Sequence, residues 1–449
     1  VTQAKAAYGP TLSLSGSHRY TTSRVRGTTL PSENDGFGTT AELSLSQPLF
    51  TSGRLAAGLD AARATKLIVR ENLRATSQRL ISDVVDAYIS LQRDIELYGV
   101  AVEIHALLLQ QRDVTMARFR LRDSTQPDLD QTNNRMELAA GRVISARAGV
   151  EVSAARYRNL VGTYPSSLAP PPPLLRLPTL DMLYAEAERA NPNLAAAKYA
   201  EARSRAEVGA ARASMMPQVS GFAALDRAPL SPYQNTVRQE SAVAGVSLSM
   251  QLYSGGQMSS MARAAVDRNL SDQFFVEQAR RDMREAIAND WTLLQAATDA
   301  LPRYDAAVRA AESAVDGVKR QETSGIRTLR DVLDVTSDLL SARTSAVQAR
   351  ADVYLRHVAV LRDAGLLSID MFSEVTPYDP NSYRPSTAAF AGLPLGPLLG
   401  PIDRLLLNER VRRAPVVREA AGEYQWPVEH PSPLPPVAGA VSVQSGTPD

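Results

Sequence analysis

Two aspartates three residues apart, Asp331 and Asp334, are the sharpest candidates for chemistry in this sequence. On a helix that spacing puts both carboxylates on one face, where they can point to one axis. Asp128 stands 203 positions before Asp331 in a matching context. An aspartate just after a turn and at a helix start is most often an N-cap or a dipole-favoured charge, worth ~0.5–2 kcal/mol. Taken alone, the residue chemistry therefore favours capping for Asp128 and Asp331. Little else offers reactivity. There is no cysteine among the 449 residues, which removes thiolate nucleophiles, disulfides and cysteine-bound metals together. His18, His105, His357 and His430 are scattered, and no two of them have helical metal-ligand spacing. A net charge of +1 makes a nucleic-acid partner a poor expectation. No run of about 18 uninterrupted apolar residues exists to cross a bilayer as a helix, since 388–407 is cut by Pro394, Pro397 and Pro401. A helical membrane protein is excluded, and no polar constellation suggests an enzyme or a cofactor site.

The elements that must position those aspartates occur twice. Residues 44–53 recur as 247–256, Gly162 matches Gly365, and Tyr88 matches Trp291, all at the offset of 203. A constant offset over such a length implies long continuous helices, because one extra residue would rotate a whole helical face. Residues 54–119 lack proline and read as a helix of ~100 Å. The stripe Leu73, Leu80, Val84, Ala87, Leu91, Ile95, Tyr98, Val102 has the spacing of a coiled-coil seam. The counterpart is 257–322, with Pro302 opposite Gly99, which predicts a kink at that height. Shorter helices are expected at 128–162, 181–213 (interrupted at Asn191-Pro192) and 328–365. Stacked end to end, two half-length helices match one long one.

Strands are expected near 11–20, 41–50, 219–225 and 243–252, from period-two alternation. Long loops rich in Gly, Pro, Asn and Asp are expected at 21–40 and 226–242. The organisation is then a first repeat at 1–162, a Pro-rich connector at 163–180, a second repeat at 181–370 and a tail at 371–449. The tail holds 13 of the 28 prolines and reads as disordered, with a short helix at 403–413. Val1 to Ala6 match Val208 to Ala213, the end of a helix, so roughly 30 preceding residues are expected from the repeat. The class is mainly α with a small transmembrane β part. Four strands cannot close a membrane barrel, so several protomers must pool them or the sheet is an ordinary soluble one.

The paired passages "QPLFTSGR" and "MQLYSGGQ", the duplication, and above all "SGIRTLRDVLDVTSDLL" from residue 324 resemble the TolC family of outer-membrane efflux and secretion channels. The resemblance spans about residues 1–370. It implies a homotrimer whose strands form one twelve-stranded β-barrel in outer-membrane lipid. It also implies coiled-coil helices forming an α-barrel tunnel through the periplasm. The implied partners are a periplasmic adaptor and an inner-membrane transporter of ABC, RND or MFS type. The implied function is a passive exit duct gated at its periplasmic end. A trimeric adhesin or stalk would share the helices but would not need strand pairs inserted twice.

Carried over position by position, Asp331 and Asp334 fall on the pore constriction, where stacked acidic rings would select cations. Arg327 and Asp128 fall on residues that brace the closed gate. Glu322 stands where the family has a bracing tyrosine, and Arg122 where a glycine is expected. A Glu322–arginine pair in that role would make closure sensitive to salt. Arg118, Arg120 and Gly325 are the adaptor-docking candidates. Phe50 and Tyr253 are expected either in an aromatic girdle or at the joint between barrel and tunnel.

Overall fold

A computed structural model describes residues 1–25, 27, 32–165, 168–173, 176–372, 378, 401 and 403. The described elements run α1 (Thr2–Ala6), β1 (Thr11–Val25), β2 (Ser32–Phe50), α2 (Arg54–Arg120), α3 (Gln126–Val161), α4 (Leu180–Ala190), α5 (Pro192–Ala213), β3 (Gln218–Ser231), β4 (Gln234–Ser249), α6 (Gln257–Thr323) and α7 (Leu329–Asp363), with a 3-10 turn at Ile369–Met371. None of these helices is long and apolar enough to cross a membrane. The tail and its helix expected at 403–413 lie outside the described residues, apart from Met371, Phe372, Tyr378, Pro401 and Asp403.

The duplication is exact in the long helices. Both α2 and α6 are 67 residues long, or ~100 Å. Each continues without interruption through its expected weak point, Gly99 or Pro302. The helix expected at 181–213 is two helices, and the reason is local. Asn191 is extended (ψ 119°), as a residue before proline must be, and its side chain accepts the Leu194 amide while Pro192 starts α5. Helix α2 packs against α3 and against α5, while α6 packs against α7 and α5.

Three apolar clusters hold these helices together. Near the turns, Ile104 and Leu108 of α2 meet Met136 of α3, Val315 of α6, and Leu333 and Leu339 of α7. Further along, Ile89 packs with Tyr354, Val358 and Leu361. Leu183 and Leu194 pack with Met283, Ile287 and Val360. Each fully buried side chain of this size contributes ~1.5–3 kcal/mol. The expected α2 seam is only partly core. Ala87 and Leu91 are buried, but Leu73, Leu80, Ile95 and Val102 stay exposed. The buried stripe runs instead through Ala101, Ile104, Leu108 and Thr115, so α2 carries more apolar surface than one partner covers.

The sheet has the order β1-β2-β3-β4 and is antiparallel throughout. Most of the expected loops 21–40 and 226–242 are strand. Polar cross-strand partners extend the ladder there, including Tyr20 Oη donating to Asp35 at 2.8 Å and the Arg24–Glu33 ion pair. Strand β4 also ends earlier than expected, at Ser249 rather than at 252.

At the opposite end of α7 the chain passes very close to the α4–α5 break. Asn191 Nδ2 donates to the Asp363 carbonyl at 2.7 Å, and Gln78 Nε2 donates to the Gly365 carbonyl at 2.8 Å. A Cβ on Gly365 (φ +75°) would lie 2.6 Å from the Ala190 carbonyl oxygen, whereas one on Gly162 (φ +93°) would meet nothing within 4 Å. Both substitutions strain the backbone by ~1 kcal/mol, but only the first also forces two backbones apart. Thermal denaturation is therefore expected to show Gly365→Ala destabilised well beyond Gly162→Ala; equal losses would contradict this account.

Candidate functional site at the paired helix turns

The two long helices end alike. Beyond α2, the Arg122 amide donates to the Phe119 carbonyl (3.0 Å) and the Asp123 amide to that of Arg118 (2.9 Å). Beyond α6, the Gly325 amide donates to Glu322 (2.9 Å) and the Ile326 amide to Gln321 (2.9 Å). This crossed pattern needs a left-handed residue, supplied by Gly325 (φ 72°) in one turn and by Arg122 (φ 61°) in the other. The glycine missing from the sequence is thus missing from a position that requires its conformation.

The next helices start with capping boxes. Thr125 and Thr328 are the N-caps, and Asp128 and Asp331 sit three residues on. The Asp331 amide donates to Thr328 Oγ1 at 3.4 Å, while the Thr328 amide and hydroxyl each donate to Asp331 Oδ2 at 2.9 Å. The Thr125–Asp128 pair repeats this at 3.4, 3.1 and 2.6 Å. The expectation of aspartate N-caps is corrected by three positions: threonine caps, and aspartate at N3 closes the box. These bonds hold both carboxyls below their ordinary range, the Thr328 amide first for Asp331 and the Thr125 hydroxyl first for Asp128. The bonds of Asp128 all fall within its own turn, while Arg327 is exposed and adds a favourable charge near Asp331.

Asp334 is 52 % exposed and faces two arginines, Arg135 of α3 at 3.3 Å and Arg330 at 3.7 Å. It belongs to a charged seam joining the α2/α3 pair to the α6/α7 pair. Arg118 of α2 bonds Glu322 of α6, whose side chain is only 9 % exposed. Arg343 of α7 reaches Glu103 of α2 and, at 2.7 Å, Glu312 of α6. Arg350 of α7 reaches Glu96 of α2 at 3.4 Å and Asp305 of α6 at 3.8 Å. Burial would lower the Arg343 guanidinium, but its bonds to Glu312 and Glu103 outweigh that and raise it. These links lie within ~35 Å of the Thr328 turn, counting 1.5 Å per helical residue.

The expected arginine partner for Glu322 therefore exists, and it is Arg118. No ion pair is found for Arg122, Arg120 or Arg327 among the described residues, and Arg120 and Gly325 are exposed at the turn end. Arg135, Arg343 and Arg350 escaped the sequence reading. The available signal was the seven-residue spacing of Arg343 and Arg350, which puts both on one face of α7.

At the other end of the long helices the sheet has two unlike faces. The register aligns Leu12 with Leu45 and Ala223, and Leu14 with Leu43 and Leu225, all on one face. Ser13, Ser44 and Ser46 share the opposite face, as do Ser220 and Ser247, whose hydroxyls meet at 2.8 Å. Phe50 is half-buried, whereas Tyr253 is 85 % exposed, so the duplicated aromatics do not share one environment. An aromatic cluster lies at the far end of the apolar face instead, where His18 stacks on Phe37 at 4.9 Å with Tyr20 at 5.0 Å. It was hidden because Phe37 falls in a segment read as loop.

Two outcomes check this geometry. Because both box aspartates are held below the ordinary value of 3.8, the stability they add is full above that value and is lost as pH falls through the lower folded values. An acid titration of stability should therefore show a steeper loss below about pH 4 in the parent than in Asp128→Asn/Asp331→Asn. Arg122→Gly should raise stability by ~0.5–1 kcal/mol by relieving the left-handed strain, and a loss would count against it.

Comparison with known proteins follows the same lines. The chain is 27% identical over 382 residues to outer membrane efflux protein BepC of Brucella suis biovar 1, covering 85% of this chain and 82% of that protein. It is 26% identical over 340 residues to alkaline protease secretion protein AprF of Pseudomonas aeruginosa, covering 71% and 68%. The solved structure of the outer membrane protein VceC from Vibrio cholerae superposes with a TM-score of 0.70 at 18% identity, over 81% of this chain and 88% of that one, and shows the same fold. The family model described as outer membrane efflux protein matches residues 1–163 and 183–365, taking in both long helices, both turns and all four strands. This chain belongs to the outer membrane efflux protein family, and so to the channels of the outer membrane rather than to the enzymes.

Proposed function

We propose that the chain is one protomer of a homotrimeric exit duct, serving a tripartite efflux pump or a type I secretion system. The observation that carries this reading is the sheet: one face apolar, one face polar, and β1 and β4 each with one edge unpaired among the described residues. In lipid such edges must be paired, and three copies of four strands give a barrel with its serine-rich face inward. The exposed stripe Leu73, Leu80, Ile95 and Val102 supplies apolar surface for the neighbouring protomer. The similar proteins bear names for efflux and for alkaline protease secretion, which supports a duct whose cargo is chosen by its inner-membrane transporter.

In this reading the paired turns form the periplasmic gate. Asp331 and Asp334 supply the acidic constriction, with Asp128 and Arg327 setting the turns. The seam of Arg118–Glu322, Arg135–Asp334, Arg343–Glu103 and Arg350–Glu96 holds the two helix pairs closed against each other. Opening slides one pair along the other and exchanges these ion pairs. A periplasmic adaptor docks at the turn end, where Arg120 and Gly325 are exposed, and contributes the energy of that exchange.

Planar-bilayer conductance tests both parts. The full-length protein is expected to give small cation-selective openings, and Asp331→Ala/Asp334→Ala to lose that selectivity. Channels unaffected by the substitutions would move the constriction elsewhere, and a folded oligomer without conductance would overturn the duct.

The seam has its own signature. Arg118→Ala leaves the Glu322 carboxylate buried without its partner, at a cost of ~3 kcal/mol. Arg135→Ala removes only an exposed pair, worth up to ~1 kcal/mol. Closed-state leak should therefore rise far more in Arg118→Ala than in Arg135→Ala. In the parent it should grow with salt faster than bulk conductivity, because exposed pairs are screened.

A further inference from the structure

The C-terminal segment delivers one side chain to a place that no motif connects with it. Asp403 is 1 % exposed, and its carboxylate sits on the first turn of α2. Oδ1 accepts the Thr51 amide at 2.7 Å and the Gly53 amide at 3.0 Å. The Thr51 hydroxyl lies 3.0 and 3.1 Å from the two carboxylate oxygens, and Oδ2 accepts the Ala56 amide at 3.4 Å. These groups join β2 to α2, the point where sheet becomes helix.

The backbone explains the fit. Ser52 (φ 52°) and Gly53 (φ 90°) are consecutive left-handed residues, a turn that brings the Thr51 and Gly53 amides to one carboxylate oxygen in a concavity of the kind that binds anions. The concavity opens at the positive end of a long helix dipole. Ser52 holds this conformation without being glycine, and its hydroxyl donates to the Pro217 carbonyl at 2.6 Å. Thr51, Ser52 and Gly53 are all buried.

The second copy provides the contrast. Ser254, Gly255 and Gly256 repeat the backbone, with φ of 63° and 84° at the two glycines. There both glycines are exposed, although the Met258 amide uses the Ser254 hydroxyl at 3.3 Å just as the Leu55 amide uses the Thr51 hydroxyl at 3.2 Å in the first copy. The fold thus builds the concavity twice, and Asp403 is placed at the first.

Chain length permits the connection with ease. The Asp363 carbonyl at the end of α7 is bonded to Asn191, and the 22 residues of α5 climb ~33 Å from there to Ala213, beside Pro217. The roughly 30 residues between Phe372 and Asp403 can span up to ~100 Å.

We propose that Asp403 is a built-in carboxylate ligand of the sheet-to-helix junction, fastening the C-terminal segment of each chain to the start of its own α2. The chain is then essential as far as Asp403, and the junction in the first repeat is a two-segment structure that the second repeat does not copy. The contact stands whether or not the protein conducts.

Amide exchange on the full-length protein in detergent, read by mass spectrometry, tests this. In Asp403→Ala the amides of 51–56 are expected to exchange about tenfold faster or more, while those of 254–259 stay as in the parent. Equal protection at 51–56 in the variant and the parent would overturn the proposal. The absence of cysteine from the sequence allows a second readout. Thr51→Cys/Asp403→Cys should oxidise to a disulfide within one chain, and Ser254→Cys/Asp403→Cys should not. A disulfide linking two protomers, or none at all from the first pair, would overturn the assignment. Should Asp403→Ala fail to assemble, the oxidised first pair is expected to restore assembly, and its failure to do so would likewise sink the idea.

Discussion

A strand edge inside hydrocarbon has no water to satisfy its amides and carbonyls, and this sheet has two such edges. Everything in the chain is arranged so that those edges find partners outside it. The apolar row of Leu12, Leu45 and Ala223 and the serine row beside it set which way the sheet must curve. Each hairpin is followed by a helix of 67 residues, after three residues in the first repeat and seven in the second. The spacing that pairing imposes on the strands is therefore transmitted to the helices, and their leftover apolar stripe must be buried at that same spacing.

Along the helices the balance of forces changes. Near the α4–α5 break, a glycine abuts a backbone carbonyl and amide side chains bond helix ends, with ion pairs beside them from Glu188 to Arg280 and Arg284 and from Asp290 to Arg356 and Arg362. Toward the turns the two helix pairs share an apolar cluster and a set of ion pairs, with Arg343 and Arg350 each reaching carboxylates on both α2 and α6. Ion pairs can exchange partners as helices slide, whereas a glycine locked against a carbonyl cannot. That lock stiffens the middle, and the proposed gate lies at the far end of the helices, where a Cβ on Gly325 would meet nothing within 4 Å.

Much of this was legible from residue spacing. The constant offset of 203 placed both long helices to within a residue, since helical faces tolerate no slippage. Asn191-Pro192 marked its break, and the arginine partner of Glu322 was foreseeable from the basic run before Arg122. The shortfalls also have physical causes. Thr125 and Thr328 read as caps only together with the aspartate three positions on, because the two residues act as one motif. The outer halves of the strands read as loop because they are rich in Gly, Pro, Asn and Asp, with Gly36, Gly38 and Pro229 inside the ladder, the composition of turns. The Arg343 and Arg350 links depend on which carboxylates lie across a helix interface, and Asp403 depends on a contact across 350 positions of chain. Neither leaves a local pattern.

The equality of α2 and α6 carries a consequence for how such a protein can change over evolutionary time. Two rods of identical residue count are each followed by a turn that ends in a threonine–aspartate capping box. A deletion in one rod alone would lift one turn above the other and rotate its faces out of register. Length can therefore drift only through paired edits, made at the same height in both halves and in steps near seven residues, about 10 Å. The depth of the compartment that the tunnel crosses is thus recorded twice in the gene, and each record holds the other to its value.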